Sequence, residues 1–309
     1  MQHIVVTGGT GFIGRHLSQA LLARGDRVSV LSRSGRGGAV GDATVRRWTP
    51  LELGDWAEVI DGCDAVVHLA GEQVVGRRMT QGLRRAIWQS RVEGTTNLVQ
   101  AIERARRRPR VLVSASAVGY YGGRLSNEPL DEGAPAGSDF MAELCVAWEG
   151  AAQRAAGAGV RVVTPRFGVT LGGDGGSLPV IARAFRAFAG GHAGSGEQCV
   201  SWIHIDDMVQ VLLRCLDDER LQGPVNATAP NAVKNRQFSA AIGRALRRPS
   251  WLRVPAVALK LALGDGAEAV LTGQNAVPAR LRQIGFQWRY ADIDAAVQAA
   301  LRPPAALAS

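Results

Sequence analysis

The chain has 309 residues, enough for one large α/β domain or a domain with a smaller lobe, and its 46% hydrophobic and 20% charged content excludes a disordered protein. The net charge of +9 invites a nucleic-acid reading. The excess is arginine scattered along the chain, Lys234 and Lys260 are the only lysines, and no nucleic-acid module or basic–aromatic array accompanies them, so no nucleic-acid partner is expected. Cys63, Cys145, Cys199 and Cys215 lack CxxC spacing and histidine partners, which points to free thiols in a reducing compartment and to no metal. No charged-then-apolar leader precedes the first strand and no apolar run reaches spanning length, so a cytoplasmic protein without a membrane partner is expected.

The chain opens with Ile4-Val5-Val6, a short apolar run that reads as a buried parallel strand. It enters a turn with glycines at 8, 11 and 14 and leaves as a helix with Ile13, Leu17 and Leu21 on one face. This spacing after a strand is the dinucleotide fingerprint: one glycine makes the tight turn, Gly11 lets backbone approach a pyrophosphate, and Gly14 lets helix and strand pack closely. Gly8, Thr10, Gly11, Phe12, Ile13 and Gly14 are therefore candidate cofactor residues, with the positive end of the helix dipole facing the phosphates.

Gly25 suits the end of that helix, and Arg27 to Ser32 reads as a second strand. A helix near Leu51 to Ile60, a strand through Asp64 to Ala70, a long helix from Gln81 to Arg106 and a strand at Arg110 to Ser114 follow. A loop then leads to a helix capped by Ser138 or Asp139 and to a strand at Val160 to Thr164. This alternation predicts right-handed βαβ units in a Rossmann-type, doubly wound parallel sheet. Beyond Phe167 come a glycine loop at 172–176, a helix at Leu178 to Phe188, a second glycine loop at 190–196, a strand-like Ser201 to Ile205 and a helix begun by Asp206 or Asp207. The division expected is a nucleotide-binding domain over 1–230, with substrate-side loops in 171–200, and a smaller, mostly helical lobe over 231–309 ending in a frayed proline-rich tail from Arg302.

An NAD-specific site usually ends its second strand on an acid that holds the ribose 2′-hydroxyl. Ser32 and Arg33 stand there instead, and a guanidinium beside a hydroxyl suits a 2′-phosphate, so NADP is the cofactor expected; Arg15 is a candidate for a second cation.

Thr7 to Gly14, His68-Leu69-Ala70-Gly71, Gly94-Thr95-Thr96-Asn97-Leu98 and Ser114-Ala115-Ser116 with Tyr120-Tyr121-Gly122 together resemble extended short-chain dehydrogenase/reductases. Arg166 to Gly172, Gly194-Ser195-Gly196, Ser201 to Asp207, Asn226 to Pro230 and Leu271-Thr272-Gly273-Gln274 narrow the resemblance to an epimerase-like subgroup with its own C-terminal segment. The resemblance implies that Ser32 and Arg33 hold the adenosine phosphate, that Leu69 and Ala70 line the crevice, that Arg91 faces the cofactor, and that Thr170 lies beside the nicotinamide. Core or loop packing is the alternative role for Leu69, Ala70 and Thr170.

The departure from the family pattern is chemical. Extended reductases carry Tyr-x-x-x-Lys on a helix, where lysine lowers the tyrosine pKa for proton exchange during hydride transfer. In the register expected here those positions read Phe140 and Leu144. The remaining candidates for catalysis are Ser116, Tyr121 and then Tyr120, with His68, Arg91 or Arg166 as helpers; walls of a substrate pocket are the alternative for both tyrosines. Asp131 and Glu132 read as an acidic substrate-side or solvated loop. Two functions follow: an NADP-dependent oxidoreductase or epimerase on a small or sugar-nucleotide substrate, and a non-catalytic NADP(H)-binding sensor.

Overall fold

The computed structural model describes residues 1–35, 40–74 and 76–302; the expected frayed tail lies, after Arg302, outside them. Seven parallel strands form the main sheet: β1 (His3–Thr7), β2 (Arg27–Ser32), β3 (Thr44–Arg47), β4 (Ala65–His68), β5 (Val111–Ser114), β6 (Arg161–Phe167) and β7 (Gly223–Ala227). Their spatial order is β7-β6-β5-β4-β1-β2-β3, so the order reverses between β1 and β4 and opens a crevice at the carboxyl ends of the strands. Ser116–Ala117 continues beside β6 as a short extra strand.

Helices α1 (Phe12–Ala23), α2 (Gln81–Trp88), α3 (Gly94–Arg104), α4 (Phe140–Gln153), α5 (Leu178–Arg186), α6 (Ile205–Asp217) and α7 (Asn235–Leu246) are the longer ones up to residue 246. Strand side chains alternate between two cores because successive residues point to opposite faces. Ile4 and Val6, Ala65 and Val67, and Val111 and Val113 meet Leu17 and Leu21 of α1 and Met208 and Leu212 of α6. Val5, Val66 and Leu112 meet Leu98 and Ile102 of α3 and Ala152 of α4 on the other face. Each fully buried Leu or Ile contributes about 1.5–3 kcal/mol. A third core joins Leu171, Leu178, Phe185 and Trp202 to Phe238 and Ile242 of α7 and to Ala296 and Val297 of the last helix, Ile293–Leu301. Among the described residues no helix is long and apolar enough to cross a membrane, and no group of three or more metal-ligating side chains gathers. The four cysteines are free and buried.

Several expectations change. The helix expected near Leu51 to Ile60 is a 3₁₀ turn, Asp55–Val59. The single long helix from Gln81 is broken by a wide, π-type turn over Gln89–Glu93, after which Gly94 packs close to Pro50. The edge strand β3 was not expected, because its Thr-Val-Arg-Arg sequence is mostly exposed and carries no apolar alternation. Neither Asp206 nor Asp207 caps α6: His204 does, its Nδ1 accepting from the Asp206 N–H at 3.2 Å. The Asp207 carboxylate instead accepts from the backbone of Arg289 and Tyr290 at 2.8 and 2.9 Å. Asp139 caps α4, accepting from the Ala142 N–H at 2.9 Å.

Candidate functional site

The turn between β1 and α1 has the shape its glycines require. Gly8 adopts a left-handed φ of +69°, and a Cβ there would lie 2.9 Å from the Ala70 backbone. A side chain on Gly14 would fall on the Gly8 carbonyl and within 2.7 Å of Gly9 Cα, so helix and turn are in direct backbone contact. Gly11 differs: it is exposed, and a Cβ there would meet only the Gly8 carbonyl, at 3.2 Å. The helix that starts after Gly11 has no side-chain cap and no acid in its first turn, which leaves the amides around Phe12, Ile13 and Gly14 and the positive dipole end for an anion. Thr10 Oγ1 lies 3.3 Å from Ser32 Oγ, tying this turn to the end of β2.

Across the crevice, the Leu69 N–H donates to the Thr7 carbonyl at 3.1 Å and the Ala70 N–H donates to Thr7 Oγ1 at 3.3 Å. Glu72 follows and is pinned by the π turn: its N–H donates to Ser90 Oγ at 2.9 Å and its carbonyl accepts from Arg91 Nη1 at 3.1 Å. The Arg91 guanidinium packs against Gly71 and lies over the Trp148 ring, 5.2 Å from its centroid. The Glu72 carboxylate accepts from Arg77 Nη1 at 2.6 Å and Arg33 Nη1 at 3.2 Å, and these guanidinium partners, Arg77 foremost, hold its pKa below the usual carboxylate range. Arg33 is 73% exposed at the crevice mouth. Arg15 does not join it: Arg15 Nη2 is 2.5 Å from the Asp174 carboxylate and donates to the Asp174 carbonyl, so its charge is spent on the glycine loop. That loop closes on α1, with Gly172, Gly175 and Gly176 packed against the Phe12 ring. Thr170 stands before it, with Oγ1 donating to the Gly168 carbonyl at 3.3 Å.

The catalytic candidates separate. Tyr121 is 0% exposed; its hydroxyl accepts from Arg166 Nη1 at 3.0 Å and shares its proton between Asn226 Oδ1 at 2.7 Å and the Asp131 carbonyl at 2.9 Å. Burial pushes the phenol up to about 12. With every polar contact of its hydroxyl taken up inside the protein, the Tyr121 geometry suits a strut beneath the site more than a proton donor. Tyr120 is half-buried, and Arg166 lies face-on over its ring, 3.4 Å from the centroid. Ser116 Oγ donates to Glu149 Oε1 at 2.6 Å, and Arg166 clamps that carboxylate from Nε and Nη2 at 2.8 and 2.9 Å.

His68 is not available as a helper. It is fully buried, its Nδ1 2.6 Å from Thr7 Oγ1 and its Nε2 2.9 Å from Thr95 Oγ1, and burial lowers its pKa to about 3, so it stays neutral. Helix α4 turns different faces to its neighbours. Leu144 is buried among Leu83 and Ile87, and Phe140 packs under Arg84 at 4.9 Å. Met141 and Cys145 face the loop that carries Ser116, lying against Gly119, and the Cys145 thiol meets Ser116. No tyrosine or lysine stands at any of these positions. Glu132 is buried rather than substrate-facing or solvated, accepting from the Asn226 N–H at 3.0 Å and the Arg280 N–H at 3.3 Å.

Sequence reasoning missed Glu72, Arg77 and Glu149. For Glu72 a signal existed, since a charged residue in the loop that follows a strand end sits at the crevice; nothing local marks Arg77 or Glu149.

A family model described as the NAD dependent epimerase/dehydratase family matches residues 4–227, and a domain of unknown function (DUF1731) matches 254–300. The chain is 41% identical to the epimerase family protein SDR39U1 homolog, chloroplastic, of Arabidopsis thaliana, over 97% of this chain and 86% of the relative. It is 35% identical to the epimerase family protein YfhF of Bacillus subtilis, over 96% of each. A crystal structure of human epimerase family protein SDR39U1 with NADPH superposes with a TM-score of 0.85 at 33% identity, covering 97% of this chain and 99% of that one.

Proposed function

The chain belongs to the NAD-dependent epimerase/dehydratase family, and from that premise we propose that it is an NADP(H)-dependent oxidoreductase or epimerase acting on a small or sugar-nucleotide substrate. The observation that carries the cofactor half is Arg33 with Ser32 at the carboxyl end of β2, where an NAD site would place an acid. The human relative's NADPH supports the same choice. In this reading Gly8, Thr10, Gly11, Phe12, Ile13 and Gly14 hold the pyrophosphate, Leu69 and Ala70 supply the crevice floor, and Arg91 and Thr170 flank the nicotinamide side. The bound cofactor supplies a hydride donor or acceptor.

The remaining chemistry falls to the chain's own side chains. Glu149 takes the Ser116 proton and fixes that hydroxyl, whose oxygen orients a substrate hydroxyl by accepting from it. Tyr120 Oη is the proton carrier, with the Arg166 charge held against its ring. Residues 231–309, together with the loops in 171–200, form the substrate-side lobe on a nucleotide-binding domain over 1–230. A cytoplasmic location accords with the four free cysteines. A non-catalytic cofactor sensor is not favoured by relatives described as epimerase family proteins.

Titration calorimetry with NADPH and NADH tests the cofactor assignment. NADPH binds more tightly, and Arg33→Asp lowers the advantage by about ten- to a hundred-fold, the value of one charged hydrogen bond. Equal wild-type affinities would contradict it.

A further inference from the structure

We propose that Glu72 and Arg77 set the preference of the crevice for a 2′-phosphorylated dinucleotide, Glu72 being the counter-ion that the phosphate displaces and Arg77 the second cation that then holds it. The inference rests on the cofactor reading above.

Arg33 and Arg77 come from different segments, the end of β2 and the loop after β4, yet both donate to one carboxylate. That carboxylate belongs to the one fixed member of the trio, because the Glu72 backbone is bonded on both sides to the π turn. The arginines are long and largely exposed, 73% and 50%, so their heads can move while Glu72 stays. Guanidinium forks match carboxylate and phosphate alike. An exposed ion pair contributes little and is readily exchanged, and a phosphate monoester brings close to two negative charges where the carboxylate brings one. The exchange therefore favours phosphate over Glu72 at this pair of guanidiniums. A ribose 2′-hydroxyl carries no charge and cannot compensate for opening the bridge.

Two other described cations near the crevice are held elsewhere. Arg15 is bound to Asp174, and Arg91 is half-buried against Gly71 and Trp148 with its Nη1 on the Glu72 carbonyl. Arg77 is the second guanidinium already gathered with Arg33 on one acceptor.

The test is calorimetry on the full chain, freed of nucleotide, with NADPH, NADH and adenosine 2′,5′-bisphosphate as probes. Arg77→Ala should weaken NADPH and the bisphosphate by about ten-fold or more while leaving NADH unchanged. Glu72→Gln keeps the backbone bonds and should tighten NADPH and the bisphosphate without improving NADH. Equal losses for NADPH and NADH in Arg77→Ala, no loss for either, or weaker NADPH binding in Glu72→Gln would overturn the proposal. The two readings fail differently. A wild type without preference for NADPH removes the cofactor assignment itself, whereas a preference that survives both variants leaves that assignment standing and removes this one.

Discussion

Replacing Tyr121 by Phe keeps the ring and deletes a hydroxyl that meets three polar groups. Arg166 Nη1 loses an acceptor at 3.0 Å and keeps only a 3.5 Å approach to the Glu132 carbonyl. Asn226 Oδ1, in a fully buried side chain, loses its donor at 2.7 Å, and the Asp131 carbonyl, in an exposed residue, regains water. A hydrogen bond to a charged group is worth about 1.5–3 kcal/mol and a stranded buried acceptor costs about 1–3, so the variant should lose roughly 2–5 kcal/mol of stability once partial relaxation is allowed. With an unfolding entropy of roughly 2.1 cal/mol/K per residue, a chain of this length should melt about 3–8 °C lower. Scanning calorimetry and urea unfolding measure the loss, and NADPH affinity at 25 °C should not change. An unchanged melting temperature, or a loss of cofactor binding in a folded variant, would refute the assignment of Tyr121 as a buried strut.

Gly11→Val should abolish cofactor binding with the circular dichroism spectrum retained, because its branched side chain fills the one open face of the turn; normal binding by a folded variant would misplace the phosphate cradle. Leu144→Lys, designed to restore the lysine of the family pair, should cost about 3–5 kcal/mol, the scale of an uncompensated buried charge, because Leu144 packs with Leu83 and Ile87; denaturant unfolding reads this directly. His68, held at about 3 in the folded state against 6.5 in its free state, binds fewer protons folded than unfolded, so its contribution is present above pH 6.5 and is lost as the pH falls toward 3. Between pH 7 and pH 5 that loss is about 2 kcal/mol, and His68→Gln should flatten the slope in urea unfolding at the two pH values.

Much of the fold was legible because its information is local. The apolar run Ile4, Val5 and Val6, the glycine turn and the Arg27–Ser32 strand each declare themselves within a few residues, and the cofactor half follows from that turn and from Ser32 and Arg33. What was not legible depends on distant partners. Tyr121 and Tyr120 are adjacent and chemically identical in sequence; one is a strut because Arg166 and Asn226 surround its hydroxyl, and the other keeps partial access. The π turn at Gln89–Glu93 lies in a continuous helical pattern, and its use appears only when Ser90 and Arg91 bind the Glu72 backbone. Which face of α4 meets the Ser116 loop is set by packing, and that face belongs to Met141 and Cys145. His204 takes the cap of α6 from Asp206 and Asp207 because Asp207 is drawn to the backbone at Arg289 and Tyr290, more than eighty residues on.

The central claim is that proton transfer, in a crevice without the Tyr–Lys pair, runs through Tyr120 and Ser116. The measurement that tests it most directly is turnover by wild type, Tyr120→Phe, Ser116→Ala and Tyr121→Phe. Nicotinamide absorbance would be followed across a panel of carbonyl compounds and nucleotide-sugars, with product analysis for redox-neutral epimerisation. Loss of a positioned proton carrier costs about 10²–10⁴-fold in rate, so Tyr120→Phe should lose activity on that scale and Ser116→Ala should also fall. Tyr121→Phe, assayed below its melting temperature, should retain activity. Full activity in Tyr120→Phe with loss in a folded Tyr121→Phe would contradict the account.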